Sequence, residues 1–274
     1  RFSNGPVWAE YLAGPLANFF PVGPVNNAAN VDFAFGGART DTAVANPPGI
    51  PTQIVAYFAR GGTFGANNLV SVWGGANDIF QAIPGAVANP ATALATMQGV
   101  SATAAGNIAT SVNTVAGAGA TQIVVMNLPD IGAAPAFNTS PVSQLASASA
   151  LTFNSALASS LATVAAGRPT VNIMQVDVAA LFGAVTANPG AFGFSNATQA
   201  CVAVASCVGG TTAQQNSFVF WDGVHPTTAG HALVAQAVAA TLAAPATAAY
   251  SASLADVSLM GRRAEAMRGF ERLR

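Results

Sequence analysis

Short apolar runs alternate along this chain with longer stretches of helical periodicity, and that alternation sets the fold class. Val31-Asp32-Phe33-Ala34-Phe35 is apolar at every second position and ends abruptly at Gly36-Gly37, the signature of a strand leaving into a turn. Asn68-Leu69-Val70-Ser71-Val72-Trp73 is almost continuously apolar and closes at Gly74-Gly75, as a strand covered on both faces should. Gln122-Ile123-Val124-Val125-Met126-Asn127 repeats that character, Thr170 to Val176 gives a further strand, and Phe218-Val219-Phe220-Trp221 gives a last one. Helical patterns fall at Pro6 to Leu12, Pro51 to Arg60, Pro90 to about Ala116, Val142 to Ala165 and Thr227 to Ala243. Strands separated by helices of this length predict βαβ units. The expected fold is therefore α/β, a three-layer α/β/α sandwich on a central, mostly parallel sheet of about five strands. Such sheets hold ligands at the carboxyl ends of their strands, where the loops at 20–30, 132–141 and 183–216 would shape any pocket.

Composition narrows the picture. A chain of 274 residues has material for one large core. Residues 1–250 are expected to form one domain and residues 251–274 an appended amphipathic helix or linker. Hydrophobic residues make up 52% and charged residues 7%, yet no long apolar run escapes interruption by Gly, Pro or polar residues, which argues against a membrane-spanning helix. Net charge is −1 and there is no lysine, so the basic stripe that nucleic acid would demand is missing and no nucleic-acid partner is expected. Arginine instead collects in the tail, at Arg262, Arg263, Arg268, Arg272 and Arg274, interleaved with Leu259, Met260, Met267, Phe270 and Leu273. A terminal helix packing on its own domain would show the same pattern. The chain opens at Arg1-Phe2-Ser3-Asn4 without a charged and apolar leader, which predicts a removed leader or a start further upstream.

Cys201 and Cys207 sit six residues apart without neighbouring His or Cys, a spacing that suits a small-loop disulfide and an oxidising compartment, or two buried thiols, but not a zinc site. Asp222-Gly223-Val224-His225-Pro226 places a carboxylate three residues before an imidazole. An Asp at that distance can hold the His Nδ1 proton and leave Nε2 to act as a general base; it could equally cap the helix that Pro226 begins, with His225 a surface residue. Gly75-Ala76-Asn77-Asp78 follows a buried strand, so the Asn77 amide could donate to a developing oxyanion, and Gly36-Gly37 offers backbone N–H groups for the same purpose. Ordinary turn chemistry would also account for each. His231 is expected to pack structurally on the last helix. Trp73 and Trp221 would wall a pocket or join the core, and Arg39 would order the Gly-Gly turn or stand in solvent.

Taken together, Gly36-Gly37, Gly75-Ala76-Asn77-Asp78 and Asp222-Gly223-Val224-His225 resemble, in order, the last three of four blocks that mark the SGNH (GDSL-type) hydrolases. The opening Arg1-Phe2-Ser3-Asn4-Gly5-Pro6-Val7-Trp8 and the stretch Asn127-Leu128-Pro129-Asp130 also resemble members of the autotransporter and lipase/acyltransferase types. The resemblance implies a serine esterase or lipase with His225 as base, Asp222 as orienter, Gly37 (or Gly36) and Asn77 as the oxyanion hole, Gly75 and Asp78 in support, an ester or lipid substrate, and no cofactor or metal. It further implies a secreted, periplasmic or outer-membrane location in a bacterium, and a membrane barrel after the C-terminal helix. The first block, Gly-Asp-Ser-Leu, does not occur in these residues. Its expected place is upstream of Arg1, in a segment removed, left out or persisting as a separate peptide; Ser3, in a loop, and Ser71, mid-strand, are poor substitutes. Competing expectations are a lipid- or glycan-binding domain without the nucleophile, a polysaccharide O-acetylesterase, and a purely structural passenger.

Overall fold

A computed structural model of the chain describes residues 2–14, 16–18 and 23–244. The amphipathic tail expected over 251–274 lies outside the described residues. The chain weaves twice between two compact units: one takes Arg1–Leu12, Pro129–Ser143 and the chain from Val176 on, the other Ala13–Leu128 and Gln144–Gln175.

Among the described residues the second of these units carries two parallel sheets, one of two strands and one of three, while the apolar run at 218–221 contributes to a separate two-stranded sheet. Strands β1 (Ala17–Asn18) and β2 (Val31–Asp32) pair in parallel. The expected strand over residues 31–35 is cut short because the Asp32 carboxylate accepts the Ala34 N–H at 2.8 Å and turns the chain. β3 (Leu69–Val72) pairs in parallel with β4 (Gln122–Met126), Leu69 opposite Gln122, and β4 is bonded in turn to β5 (Asn172–Val176). Ile123, Val124, Val125 and Met126 are all buried. Successive strand residues point to opposite faces, so this sheet is covered above and below.

Four helices complete the unit: α2 (Ile50–Ala59), α3 (Ala76–Val87), α4 (Ala93–Gly117) and α5 (Ser143–Gly167), the last beginning one residue before it. Met97, Ala104, Ala105, Ile108, Val112 and Val115 of α4 bury one stripe at helical spacing, and Phe153, Leu157 and Leu161 do the same on α5. The outer faces have few charges to solvate them. Hydroxyls there bond back one turn, as Thr110 to the Gly106 carbonyl at 3.0 Å, Thr114 to Thr110 at 2.9 Å and Thr152 to Ala148 at 2.9 Å. The sequence pattern misses α3 because Gly74-Gly75 before it and Pro84 inside it both read as breaks.

The other unit begins with α1 (Trp8–Ala13, whose last residue lies just beyond it) and continues through a 3₁₀ turn at Ile131–Ala133 to α6 (Val178–Ala187). The stretch 183–216, without a legible pattern in the sequence, is mostly regular. It contains a 3₁₀ turn (Pro189–Phe192), β6 (Asn196–Ala200), another 3₁₀ turn (Cys201–Ala203), α7 (Ala205–Val208) and α8 (Thr212–Gln215). β6 pairs in parallel with β7 (Phe218–Phe220), and Cys201 and Cys207, both buried, are joined in a disulfide. The last helix, α9 (Thr228–Ala243), is capped by Thr227, whose hydroxyl accepts the Gly230 N–H and donates to the Phe218 carbonyl at 2.7 Å. Among the described residues no helix is long and apolar enough to cross a membrane.

His231 lies in the first turn of α9 with its Nδ1 shut off from solvent and without a hydrogen-bond partner among the described residues. Burial, aided by the nearby His225 and opposed by Glu10, pulls its pKa from 6.5 down to about 4. The unfolded chain therefore binds a proton that the folded one refuses between these values. The stabilising contribution of the neutral imidazole is complete above pH 6.5 and is lost as pH falls towards 4, by about 3 kcal/mol in all. The difference in unfolding free energy between neutral pH and pH 4, measured by denaturant titration, should shrink by about that amount in His231→Leu. An unchanged difference would place the titration elsewhere.

Candidate active site

The candidate residues fall into two clusters, each within one unit. In the first, the backbone folds back on itself after β7: the Trp221 N–H donates to the His225 carbonyl at 2.8 Å, and Phe220 and Pro226 form an antiparallel bridge. Inside this loop the Asp222 carboxylate collects donors. Its Oδ1 accepts the N–H groups of Val224 (3.0 Å) and His225 (2.8 Å), and His225 Nδ1 lies 2.8 Å from Oδ2 and 3.0 Å from Oδ1. Burial alone would push the carboxyl up, but the two backbone donors and the imidazole outweigh it and hold Asp222 below the usual carboxylate range. An ionised acceptor against Nδ1 requires the proton on that nitrogen and leaves Nε2 as the acceptor, which is the tautomer a general base needs. The capping alternative fails, since Thr227 and not Asp222 caps α9.

The stretch Phe2 to Pro6 is what supports this loop, a role that the pattern along the chain did not reveal. The Phe2 ring stacks on the His225 imidazole, centroids 4.9 Å apart and planes at 18°. Ser3 donates to the Pro226 carbonyl at 3.1 Å, and Asn4 Oδ1 accepts the Thr228 N–H at 2.8 Å. Gly5 lies against the Thr228 side chain, whose hydroxyl donates to the Pro6 carbonyl at 2.8 Å. The imidazole remains accessible, with 41% of its side chain exposed.

The second cluster joins the Gly36-Gly37 turn to the start of α3. Asn77 Nδ2 donates to the Ala38 carbonyl at 3.0 Å. Asp78 accepts the Thr40 hydroxyl at 2.8 Å and the Thr40 N–H at 3.0 Å, and is 2% exposed. Burial raises the Asp78 pKa, partly offset by Thr40 and by the Arg39 guanidinium. Arg39 itself forks onto Asp41 at 2.6 Å and 3.0 Å and reaches Gln81 at 3.3 Å, so it does not stand alone in solvent. Gly37 (φ +83°) and Gly75 (φ +112°) both occupy the left-handed region. A Cβ on Gly75 would also lie 2.3 Å from the Phe153 ring, which packs beneath the turn. Sequence reasoning found Gly36, Gly37, Gly75, Asn77 and Asp78 but not Thr40 or Phe153. Trp73 and Trp221 are half-buried.

Gly75→Ala is expected to cost about 3 kcal/mol in a thermal or denaturant melt, from backbone strain and the clash with Phe153. Gly85→Ala in the same helix meets no atom within 4 Å and should be neutral or stabilising by up to about 1 kcal/mol. Equal effects at the two positions would dismiss the packing argument.

Comparison with known proteins identifies the family. The GDSL-like lipase/acylhydrolase family matches residues 1–238. The chain is similar to the thermolabile hemolysin of Vibrio parahaemolyticus, 29% identical over 260 residues that cover 86% of this chain and 54% of the hemolysin. It is similar to the phosphatidylcholine-sterol acyltransferase of Aeromonas hydrophila, 30% identical over 261 residues, 89% of this chain and 70% of that protein. Esterase EstA of Pseudomonas aeruginosa is 32% identical over 136 residues, 46% of this chain and 20% of the esterase. The chain thus spans only about half the length of the hemolysin and less of the esterase. With its parallel α/β fold and a match over most of its length, the chain belongs to the GDSL-like lipase/acylhydrolase family, which supports a hydrolase of the esterase or lipase type at the family level.

Proposed function

We propose that the protein is a serine carboxylesterase in which His225 is the general base, Asp222 its orienting partner, and the Asn77 amide and Gly37 N–H the oxyanion donors, with the nucleophilic serine supplied by a segment preceding Arg1. The observation that carries this reading is the Asp222–His225 pair, in which a carboxylate held ionised by backbone donors meets Nδ1 at 2.8 Å.

In this mechanism the serine oxygen attacks the ester carbonyl while its proton passes to His225 Nε2. The carbonyl electron pair moves onto oxygen, where two N–H donors stabilise the charge. Collapse expels the alkoxide, which takes the proton from the imidazolium and departs as an alcohol. Water then repeats the sequence on the acyl-enzyme and releases the acid. Asp222 stays ionised throughout and stabilises the imidazolium. The disulfide supports an exported protein, since such bonds persist in oxidising compartments.

The test uses the full-length gene product and p-nitrophenyl butyrate. His225→Ala should lower kcat by about a thousandfold or more and Asn77→Ala by about a hundredfold, each with little change in KM. The double variant should be less impaired than the product of the two losses if both groups serve one chemical step. Full turnover in His225→Ala would rule the assignment out.

A further inference from the structure

We infer that Asp78 and Thr40 are positioning residues that lock the two donor segments of the oxyanion site to each other. This rests on the esterase reading above, and adds to it how the donors are held.

The Gly36-Gly37 turn and the first turn of α3 are far apart in sequence, and two adjacent side chains of α3 bind the turn at two points. Asn77 grips the Ala38 carbonyl at 3.0 Å with one amide hydrogen, which leaves the other for an incoming oxygen. Asp78, one residue on, takes both donors of Thr40: the hydroxyl at 2.8 Å and the backbone N–H at 3.0 Å from one carboxylate oxygen and 3.3 Å from the other. Two donors from one residue fix both the position and the tilt of the 38–40 backbone. The Ala38 carbonyl therefore cannot drift, and it in turn sets the rotamer of Asn77. Asn107 of α4 donates to the Thr40 hydroxyl at 3.2 Å and ties the clamp into the helical layer.

Burial argues that this carboxylate has a task beyond complementing the N-terminus of α3, which an exposed aspartate would do as well. Asp78 is 2% exposed and Thr40 is 0% exposed. A charge so placed is costly unless its hydrogen bonds are made, and Thr40 makes them from a segment nearly forty residues away in the chain. The Arg39 guanidinium stands 3.8 Å off and pairs principally with Asp41, so charge neutralisation alone does not account for the arrangement. Oxyanion donors act through preorganisation, and a shift of about 1 Å in such a group can cost about a hundredfold in rate.

Thr40→Val removes the hydroxyl at nearly constant volume, Thr40→Ser keeps it, and Asp78→Asn weakens the acceptor. Each would be made in the full-length gene product, with kcat and KM on p-nitrophenyl butyrate, inhibition by a trifluoromethyl ketone that forms a charged tetrahedral adduct, and thermal melts. Thr40→Val and Asp78→Asn should lower kcat by about tenfold or more with KM within about twofold, and weaken the ketone in parallel. Thr40→Ser should stay within about threefold of the parent on every measure. If Asp78→Asn fails to fold, the Val/Ser pair decides. Parental kcat in Thr40→Val, or a loss of kcat without weaker ketone binding, overturns the positioning role. The esterase reading survives that result if His225→Ala is still impaired, and falls if that variant retains full turnover.

Discussion

In a chain without lysine the described aspartates draw hydrogen bonds from the backbone, Asp41 taking two from Arg39 as well. Every described aspartate, Asp32, Asp41, Asp78, Asp130, Asp177 and Asp222, accepts at least one backbone N–H. Most of these bonds close a turn of two or three residues at the end of a strand or the start of a helix. The aspartates are thus the fasteners of the loops, and loops at strand ends are where an α/β fold does its chemistry.

The two aspartates nearest the proposed chemistry show how one device serves opposite ends. Asp222 is partly open and surrounded by donors from its own loop, which hold it ionised and make it a fixed acceptor for Nδ1 of His225. Asp78 is buried, and desolvation dominates its titration in spite of the Thr40 donors. Its bonds run to a distant segment, so its effect is to join two loops. Environment alone separates the roles of two chemically identical groups.

Scarcity of charge also explains the helices. With 7% charged residues the outer faces of α4 and α5 are mostly small or polar, though Leu94 and Leu151 are also exposed, and several hydroxyls there bond to the carbonyl one turn back. Small side chains allow close helix packing on the sheet, and the core relies on a few larger anchors such as Phe153, Met97 and Ile108. One of these, Phe153, packs where only a glycine at position 75 leaves room, which links core packing to the shape of the turn before Asn77.

The sequence by itself determined the α/β class, the three central strands and the long helices, and it named the candidate site's residues, because each is written in periods of two or three to four residues or in contiguous motifs. Asp222 and His225 meet as their spacing allows, and Cys201 and Cys207 are close enough in the chain to pair. Helix α3 escaped because its breakers, Gly75 and Pro84, are tolerated once packing holds the backbone, and β6 escaped because Asn196–Ala200 is too polar to read as a strand until β7 lies beside it. Only the tertiary structure could decide that Thr40 answers Asp78, that Phe153 underlies Gly75 and that Phe2 covers His225. Each of these contacts joins residues dozens to hundreds of positions apart, and local pattern holds no information about which distant surface a turn will be pressed against.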